Sequence, residues 1–167
     1  MGLTLRLVRH GRTTWNEEGR YAGHCDIGVS VPGRSALAEL VLPAADYTSV
    51  VSSDLRRCRE TADALGVAPR WEPSLREFDF GDLEGLTWND LDAVTQEALA
   101  DYDRFVAPGG ESVASFGRRV DAFTQSLHDG LHLVITHGGV IRHLQRLHGS
   151  ELVVAPGEWC DLEVSRR

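Results

Sequence analysis

The 167-residue sequence has no long apolar run, no C-x-x-C pair, no surplus of positive charge and no internal repeat. Each absence excludes a class of protein. The opening Met1-Gly2-Leu3-Thr4-Leu5-Arg6 reaches a charge before any stretch long enough for a signal peptide or a membrane span. Arg6 also stands where a myristoylation signal needs Ser or Thr. Cys25, Cys58 and Cys160 are odd in number and far apart, so neither a disulfide framework nor a zinc site is indicated. A reducing compartment, the cytoplasm, is expected. His24, His128, His132, His143 and His148 lack the spacing of a metal site such as H-E-x-x-H and read as surface or packing residues. No metal and no other cofactor is expected. A net charge of -8 leaves no basic surface to release counterions from phosphates, so neither nucleic acid nor an anionic membrane is an expected partner.

What is present is the balance of a globular protein, 42% hydrophobic and 25% charged, over a length that suits one domain spanning 1–167. Leu3 to Val8 reads as a strand running into a loop. Gly28 to Gly33, with Pro32, reads as a turn, and Ser35 to Leu42 as a short helix. Tyr47 to Val51 is a second strand, after which Ser53 is placed to cap a helix with Asp54 in its first turn and Leu55, Cys58, Ala62 and Leu65 on its apolar side. That position makes Cys58 a buried, inert thiol. Trp71 to Asp79 is extended or irregular, and Trp88 to Phe105 is helical, in one or two pieces. Val113, Phe116, Val120, Phe123 and Leu127 mark an amphipathic helix. Leu131 to Thr136 suits a buried parallel strand, Val140 to Leu147 a further helix, and Glu158 to Val164 a last, edge strand. Alternating strands and helices predict an α/β fold: a three-layer sandwich with a mostly parallel central sheet flanked by helices.

Two apolar strands end in a histidine followed by glycine, at Arg9-His10-Gly11 and Thr136-His137-Gly138-Gly139. Ligands of open α/β sheets sit at the carboxyl ends of strands, so both histidines fall where a site would be, with glycine to let backbone approach a ligand. A third strand ends at Ser52-Ser53 and delivers Arg56 and Arg57 to the next helix. These residues would form a basic pocket on an acidic protein. Guanidinium forks and imidazole donors suit the equatorial oxygens of a phosphoryl group, and a neutral imidazole can attack phosphorus itself. Departure of the leaving group then needs an acid. Glu77, set between Arg76 and Phe78, is the candidate, with Asp79, Asp82 and Glu84 as rivals. Arg56 likewise competes with Arg57.

Arg9-His10-Gly11-Arg12-Thr13-Thr14-Trp15-Asn16 closely resembles the signature of the histidine phosphatase superfamily, in its phosphoglycerate mutase-like branch. Ser53-Asp54-Leu55-Arg56-Arg57-Cys58-Arg59-Glu60-Thr61-Ala62, Leu75-Arg76-Glu77 and Thr136-His137-Gly138-Gly139 resemble its later motifs, in order along nearly the whole chain. The resemblance implies a phosphoglycerate mutase-like fold, His10 as the phosphorylated nucleophile and Glu77 as the acid. It makes His137 catalytic and, with Arg9, Asn16 and Arg57, phosphate-binding. Gly110-Glu111-Ser112 and Arg119 also look familial, in a more structural role. The chain departs from the family pattern at Arg12, at Ala22 and Ser35-Ala36, where glutamines are common, and at Gly28-Val29, where Pro-Leu is usual; all lie on the substrate side.

Mutases that resemble this pattern carry a long insert to keep phosphohistidine dry, whereas only about thirty residues separate Glu77 from Gly110 here, a difference that favours access of water. With the sequence ending at Arg167, no C-terminal tail is expected to cover the site. The expectation is therefore a phosphatase acting on a phosphorylated small molecule such as a sugar phosphate or α-ribazole phosphate. A mutase-type phosphotransferase and a catalytically silent phospholigand-binding module are the alternatives. Neutral His10 and a protonated Glu77 are needed together, which implies a bell-shaped pH profile. Monomer and dimer are equally compatible with the sequence.

Overall fold

A computed structural model describes residues 2–165; Met1, Arg166 and Arg167, the ends of the 1–167 span, lie outside them. Strand β1 is Leu3–Arg9, and helix α1, Thr14–Glu18, follows the first loop. Next come α2 (Val31–Ala38), β2 (Ser49–Ser52), α3 (Arg56–Ala64) and the two-residue β3 (Arg70–Trp71). Helix α4 is Ala93–Ala100 and α5 Val113–Ser126, followed by β4 (Gly130–Thr136), α6 (Gly138–His148) and β5 (Trp159–Val164). The sheet runs β3-β2-β4-β1-β5, parallel throughout except for β5, which pairs antiparallel with β1 at the edge. This is the expected α/β arrangement of a mostly parallel sheet between helices.

The β period of two explains the layers. Leu5, Leu7, Val51 and Val134 face the side covered by α5 and α6, where Phe116, Val120, Val140 and Leu144 meet them. Val8, Leu133 and Ile135 point the other way, onto Cys58 and Ala62 of α3. Cys58 is fully buried, and burial pushes its thiol up to about 12, so it is inert as expected. Among the described residues no helix is long and apolar enough to cross a membrane.

Local chemistry moves several boundaries. The second helix starts at Val31, inside the segment that reads as a turn, because Ser30 Oγ accepts the Gly33 amide and Pro32 occupies the first turn, where its missing N–H costs nothing. The strand expected over Tyr47–Val51 lies at Ser49–Ser52. Ser53 does not cap α3: Leu55 holds that position without a side-chain bond, and Asp54 lies outside the helix, forked to Arg76 at 2.6 and 2.7 Å. Ser53 is thereby left for other work. The stretch Trp88 to Phe105 breaks into two 3₁₀ turns flanking the short α4, no residue of which is buried.

Leu7 is fully buried at the centre of the sheet. Leu7→Ala is expected to lower unfolding free energy by about 2–5 kcal/mol, measured by urea denaturation; a loss well under about 1 kcal/mol would show that this face of the sheet is not the packed core.

Candidate active site

Parallel pairing aligns the carboxyl ends of three strands. Arg9 lies opposite Thr136 and Ser52 opposite Ile135, so the residues that follow, His10, His137 and Ser53, emerge together. The His10 amide donates to Thr136 O at 2.9 Å and the Ser53 amide to Ile135 O at 2.9 Å, continuing the ladder one step into the site. The two imidazoles meet with ring centroids 5.1 Å apart.

His10 is 4% exposed. Its Nδ1 lies 2.8 Å from Gly11 O, a bond that requires the proton on Nδ1 and leaves Nε2 as a bare lone pair. Burial, then the charges of Arg57 and Arg9, hold its pKa well below the ordinary value of 6.5. The Gly11 amide donates to Thr61 Oγ1, which in turn donates to Arg57 O at 2.6 Å and so ties the loop after His10 to α3.

Arg57 is fully buried and Arg56 is exposed, paired with Glu60 at 2.7 Å. Arg57 is thus the arginine beside the histidines. It donates through Nε to His137 Nδ1 at 3.2 Å and through its terminal nitrogens to the carbonyls of Cys25, Ala22 and Gly23. With Nδ1 accepting, His137 carries its proton on Nε2 and donates it to Ser53 Oγ at 2.8 Å. Burial, then Arg57 and His10, keep His137 neutral by lowering its pKa well below 6.5. Both of its ring nitrogens are therefore engaged within the protein.

Arg9 donates to Val154 O at 3.0 Å, but its Nε is buried without a partner. Burial draws its pKa down, against the attraction of Glu77. Glu77 accepts the amides of Phe78 and Gly139, each at 2.9 Å. Its rivals are placed elsewhere: Glu84 accepts the amides of His24 and Cys25, Asp79 that of Gly81, and Asp82 faces Gly109. The segment carrying Glu77 is clamped from behind by Arg119, which donates to the carbonyls of Ser74, Arg76 and Glu77 and forks to Glu111. Asn16 serves α1: its Oδ1 accepts the Thr13 amide while Thr13 Oγ1 accepts its own. That closes a capping box and leaves the Asn16 amide nitrogen to act as a donor.

The glycines make room for the protein's own side chains. A Cβ on Gly138 would lie 2.8 Å from Arg9 Cζ, and one on Gly139 2.1 Å from Glu77 Oε1. What approaches them is the Arg9 guanidinium and the Glu77 carboxylate. A Cβ on Gly11 would strike Leu37, a core side chain, at 2.5 Å. His24 is also no mere surface residue, since its Nε2 contacts Glu77 O at 3.1 Å and its Nδ1 lies 3.6 Å from Asp79. Ser53 and Thr61 escape sequence reasoning as site residues, although the polar pair at the end of β2 is a signal for the first. The carbonyls of Ala22, Gly23 and Cys25 have no sequence signal. Among the described residues no cluster of three or more His, Cys, Asp or Glu side chains could hold a metal ion.

A family model of the histidine phosphatase superfamily (branch 1) matches residues 5–153, and the chain belongs to that superfamily. It is 35% identical over 153 residues to the metal-independent phosphoserine phosphatase of Arabidopsis thaliana, covering 81% of this chain and 64% of that protein. It is 33% identical over 155 residues to phosphoglycerate mutase-like protein 4 of the same organism, covering 83% and 67%. The chain spans about two thirds of the length of these relatives. The crystal structure of phosphoglycerate mutase from Thermus thermophilus superposes with a TM-score of 0.88 at 41% identity, over 99% of this chain and 95% of that one. These relatives carry the names of both a hydrolase and a mutase, and the fold is the phosphoglycerate mutase-like one.

Both histidines are neutral in the folded protein at a pH where their unfolded counterparts bind a proton, so the unfolded state gains protons as pH falls below 6.5. Stability is fully present above that value and declines toward the lowered folded-state values. Urea midpoints are expected to fall between about pH 7.5 and about pH 5, and less steeply in His10→Asn. An unchanged slope in that variant would place His10 outside this linkage.

Proposed function

We propose that the chain is a phosphomonoesterase that passes the phosphoryl group of a small phosphorylated metabolite to Nε2 of His10 and then to water. The observation that carries this reading is the contact of His10 Nδ1 with Gly11 O, which puts the proton of a buried neutral imidazole on Nδ1 and leaves Nε2 unprotonated, in the field of Arg57 and Arg9. In the first step the Nε2 lone pair forms the N–P bond as the ester P–O bond breaks, and Glu77 gives its proton to the leaving oxygen. Each carboxyl oxygen of Glu77 has two lone-pair sites, so both can keep their backbone amides while one carries that proton. In the second step water gives a proton to Glu77 and attacks phosphorus, the P–N bond breaks, and phosphate leaves. Arg9, Arg57 and the Asn16 amide hold the phosphoryl oxygens. His137 joins them when Arg57 turns its Nε from the ring to the phosphate and the Nδ1 so freed takes a proton from the incoming phosphate monoanion, which makes it a donor.

Guanidinium groups supply the charge that a metal would otherwise bring, so the reaction as proposed uses no cofactor and EDTA leaves it unchanged. The cytoplasm suits its free cysteines. Hydrolysis is favoured over mutase chemistry because the segment between Glu77 and Gly110 forms only short turns and an α4 with no buried residue, too slight a cover to keep water from a phosphohistidine. The similarity to the Thermus thermophilus mutase favours the second reading, a phosphotransferase. Interconversion of phosphoglycerates faster than their hydrolysis would establish it.

His10→Ala is expected to lower kcat on p-nitrophenyl phosphate by at least about a thousandfold, since removing a covalent nucleophile removes both steps. Full activity in that variant would sink the assignment. Gly139→Ala drives a methyl group into Glu77 and is expected to cost about a hundredfold in kcat at unchanged thermal stability; wild-type kcat would mean that Glu77 is not the acid.

A further inference from the structure

Ser53 is fully buried just past the end of β2, and its hydroxyl stands between the His137 ring and α3. Its Oγ accepts from His137 Nε2 at 2.8 Å and from the Leu55 amide at 3.4 Å, which occupies both lone pairs and leaves the hydroxyl proton to go elsewhere. Cys58 takes it: burial pushes that thiol up, and a hydrogen bond with Ser53 works against the rise, as a bond donated by the hydroxyl to sulfur does. Cys58 Sγ lies 3.5 Å from His137 Nε2 and donates to Thr136 O at 3.7 Å. A carbonyl can only accept, so the chain has one direction: His137 Nε2–H to Ser53, Ser53 O–H to Cys58, Cys58 S–H to Thr136 O.

A satisfied buried hydroxyl needs no function, and the Leu55 amide alone gives Ser53 a structural task at the turn into α3. That task does not account for the ring. The two histidines hold opposite tautomers, His10 with its proton on Nδ1 and His137 with its proton on Nε2. The other tautomer of His137 would set an Nδ1–H against the Nε–H of Arg57, two donors with their nitrogens 3.2 Å apart. Burial, then Arg57, His10, Arg119 and Arg9, all disfavour a second proton on this ring, so that proton needs an anion beside it. Once it arrives, both ring nitrogens carry hydrogen and both need acceptors. A phosphoryl oxygen can serve Nδ1, and the Ser53 oxygen is already in place for Nε2.

We propose that Ser53 is a positioning residue of the reaction: by accepting the Nε2–H of His137 in both protonation states it confines proton exchange to Nδ1, so that a bound phosphoryl group converts His137 to an imidazolium donor. This inference rests on the phosphomonoesterase reading and adds a residue to it. One proton moves. The O–H bond of a phosphate monoanion breaks, the Nδ1–H bond forms, and the anion remains as a dianion beside a cation. A charged N–H buried without an acceptor is costlier than a neutral one, so the Ser53 hydroxyl contributes more after the transfer than before it.

Nitrogen-15 spectra of the imidazoles read tautomer and charge directly, with His10→Ala and His137→Ala assigning the signals. At about pH 7 the free wild type is expected to show His137 neutral with hydrogen on Nε2 and His10 neutral with hydrogen on Nδ1. Inorganic phosphate is expected to protonate His137 on Nδ1 while Nε2 keeps its hydrogen. In Ser53→Ala the ring is expected to lose its single tautomer, and phosphate affinity and kcat/KM on p-nitrophenyl phosphate to fall about tenfold or more. Ser52→Ala removes the neighbouring buried hydroxyl, which donates to Ser53 O at 2.9 Å, and is expected to leave the tautomer and the affinity as they are. Hydrogen on Nδ1 of His137 in the free wild type, a ring that phosphate leaves neutral, a Ser53→Ala protein with wild-type spectrum and affinity, or an equal loss in Ser52→Ala overturns the proposal. If the ring responds to phosphate through Ser53 while the wild type fails to hydrolyse p-nitrophenyl phosphate, the positioning stands and the reaction falls. Hydrolysis by a protein whose His137 is indifferent to Ser53→Ala keeps the reaction and removes the role of Ser53.

Discussion

Arg57 is a guanidinium with no exposed surface and no carboxylate among its hydrogen-bond partners. A buried cation is tolerated only where its donors are satisfied, and here the satisfaction comes from neutral acceptors: three carbonyls of the loop 22–25 and the Nδ1 of His137. Much of the site follows from that one requirement. The loop must come in close enough to present its carbonyls, His137 must stay neutral to offer a lone pair, and Ser53 Oγ must accept a hydrogen bond from the other ring nitrogen, which then carries the proton. What the arrangement lacks is an anion. A phosphoryl group beside His10 would supply the charge that the carbonyls cannot, and would compete with them for the same N–H groups.

The same requirement explains why the chain can depart from its family's usual residues near position 22. Ala22, Gly23 and Cys25 serve Arg57 through their backbones, so the side chains there are free to vary without loosening the arginine. At Gly23 the freedom is limited by packing instead, since a Cβ would meet Phe78 O at 2.5 Å. Gly28 similarly lies against the Arg56–Glu60 pair, and Val29 donates its amide to Glu60 at 2.6 Å. The exposed arginine of the pair thus helps fold the substrate-side loop, while its buried neighbour faces the histidines.

The parts of the molecule that were legible from residues are those governed by periodicity and by strand ends. The apolar runs of β1 and β4 and the stripe of α5 have the periods that burial demands, and the two histidines follow where those strands stop. Caps were less legible because a serine's bond depends on where the backbone goes. Ser30 begins a helix inside an apparent turn, while Ser53, at an equally plausible capping position, accepts the Nε2–H of His137 on its hydroxyl oxygen. Bonds to backbone carbonyls were not legible at all, since every residue has one. The position of Glu77 depended on Arg119, a helix away, gathering the carbonyls of Ser74, Arg76 and Glu77.

The pair Gly138-Gly139 shows how local stability yields to the site. Glycine is a poor helix former, and two in the first turn of α6 weaken a helix that a serine or aspartate followed by alanine would start better. The structure gives up that local stability because each missing Cβ holds open a specific space, one for the Arg9 guanidinium and one for the Glu77 carboxylate. Both side chains are thereby drawn over the start of the helix that follows His137. Larger residues at these positions would push the Arg9 guanidinium and the Glu77 carboxylate away from the start of α6, and so apart from the groups they work with in the proposed reaction. The local cost and the geometry of the site are therefore two aspects of a single choice of residue.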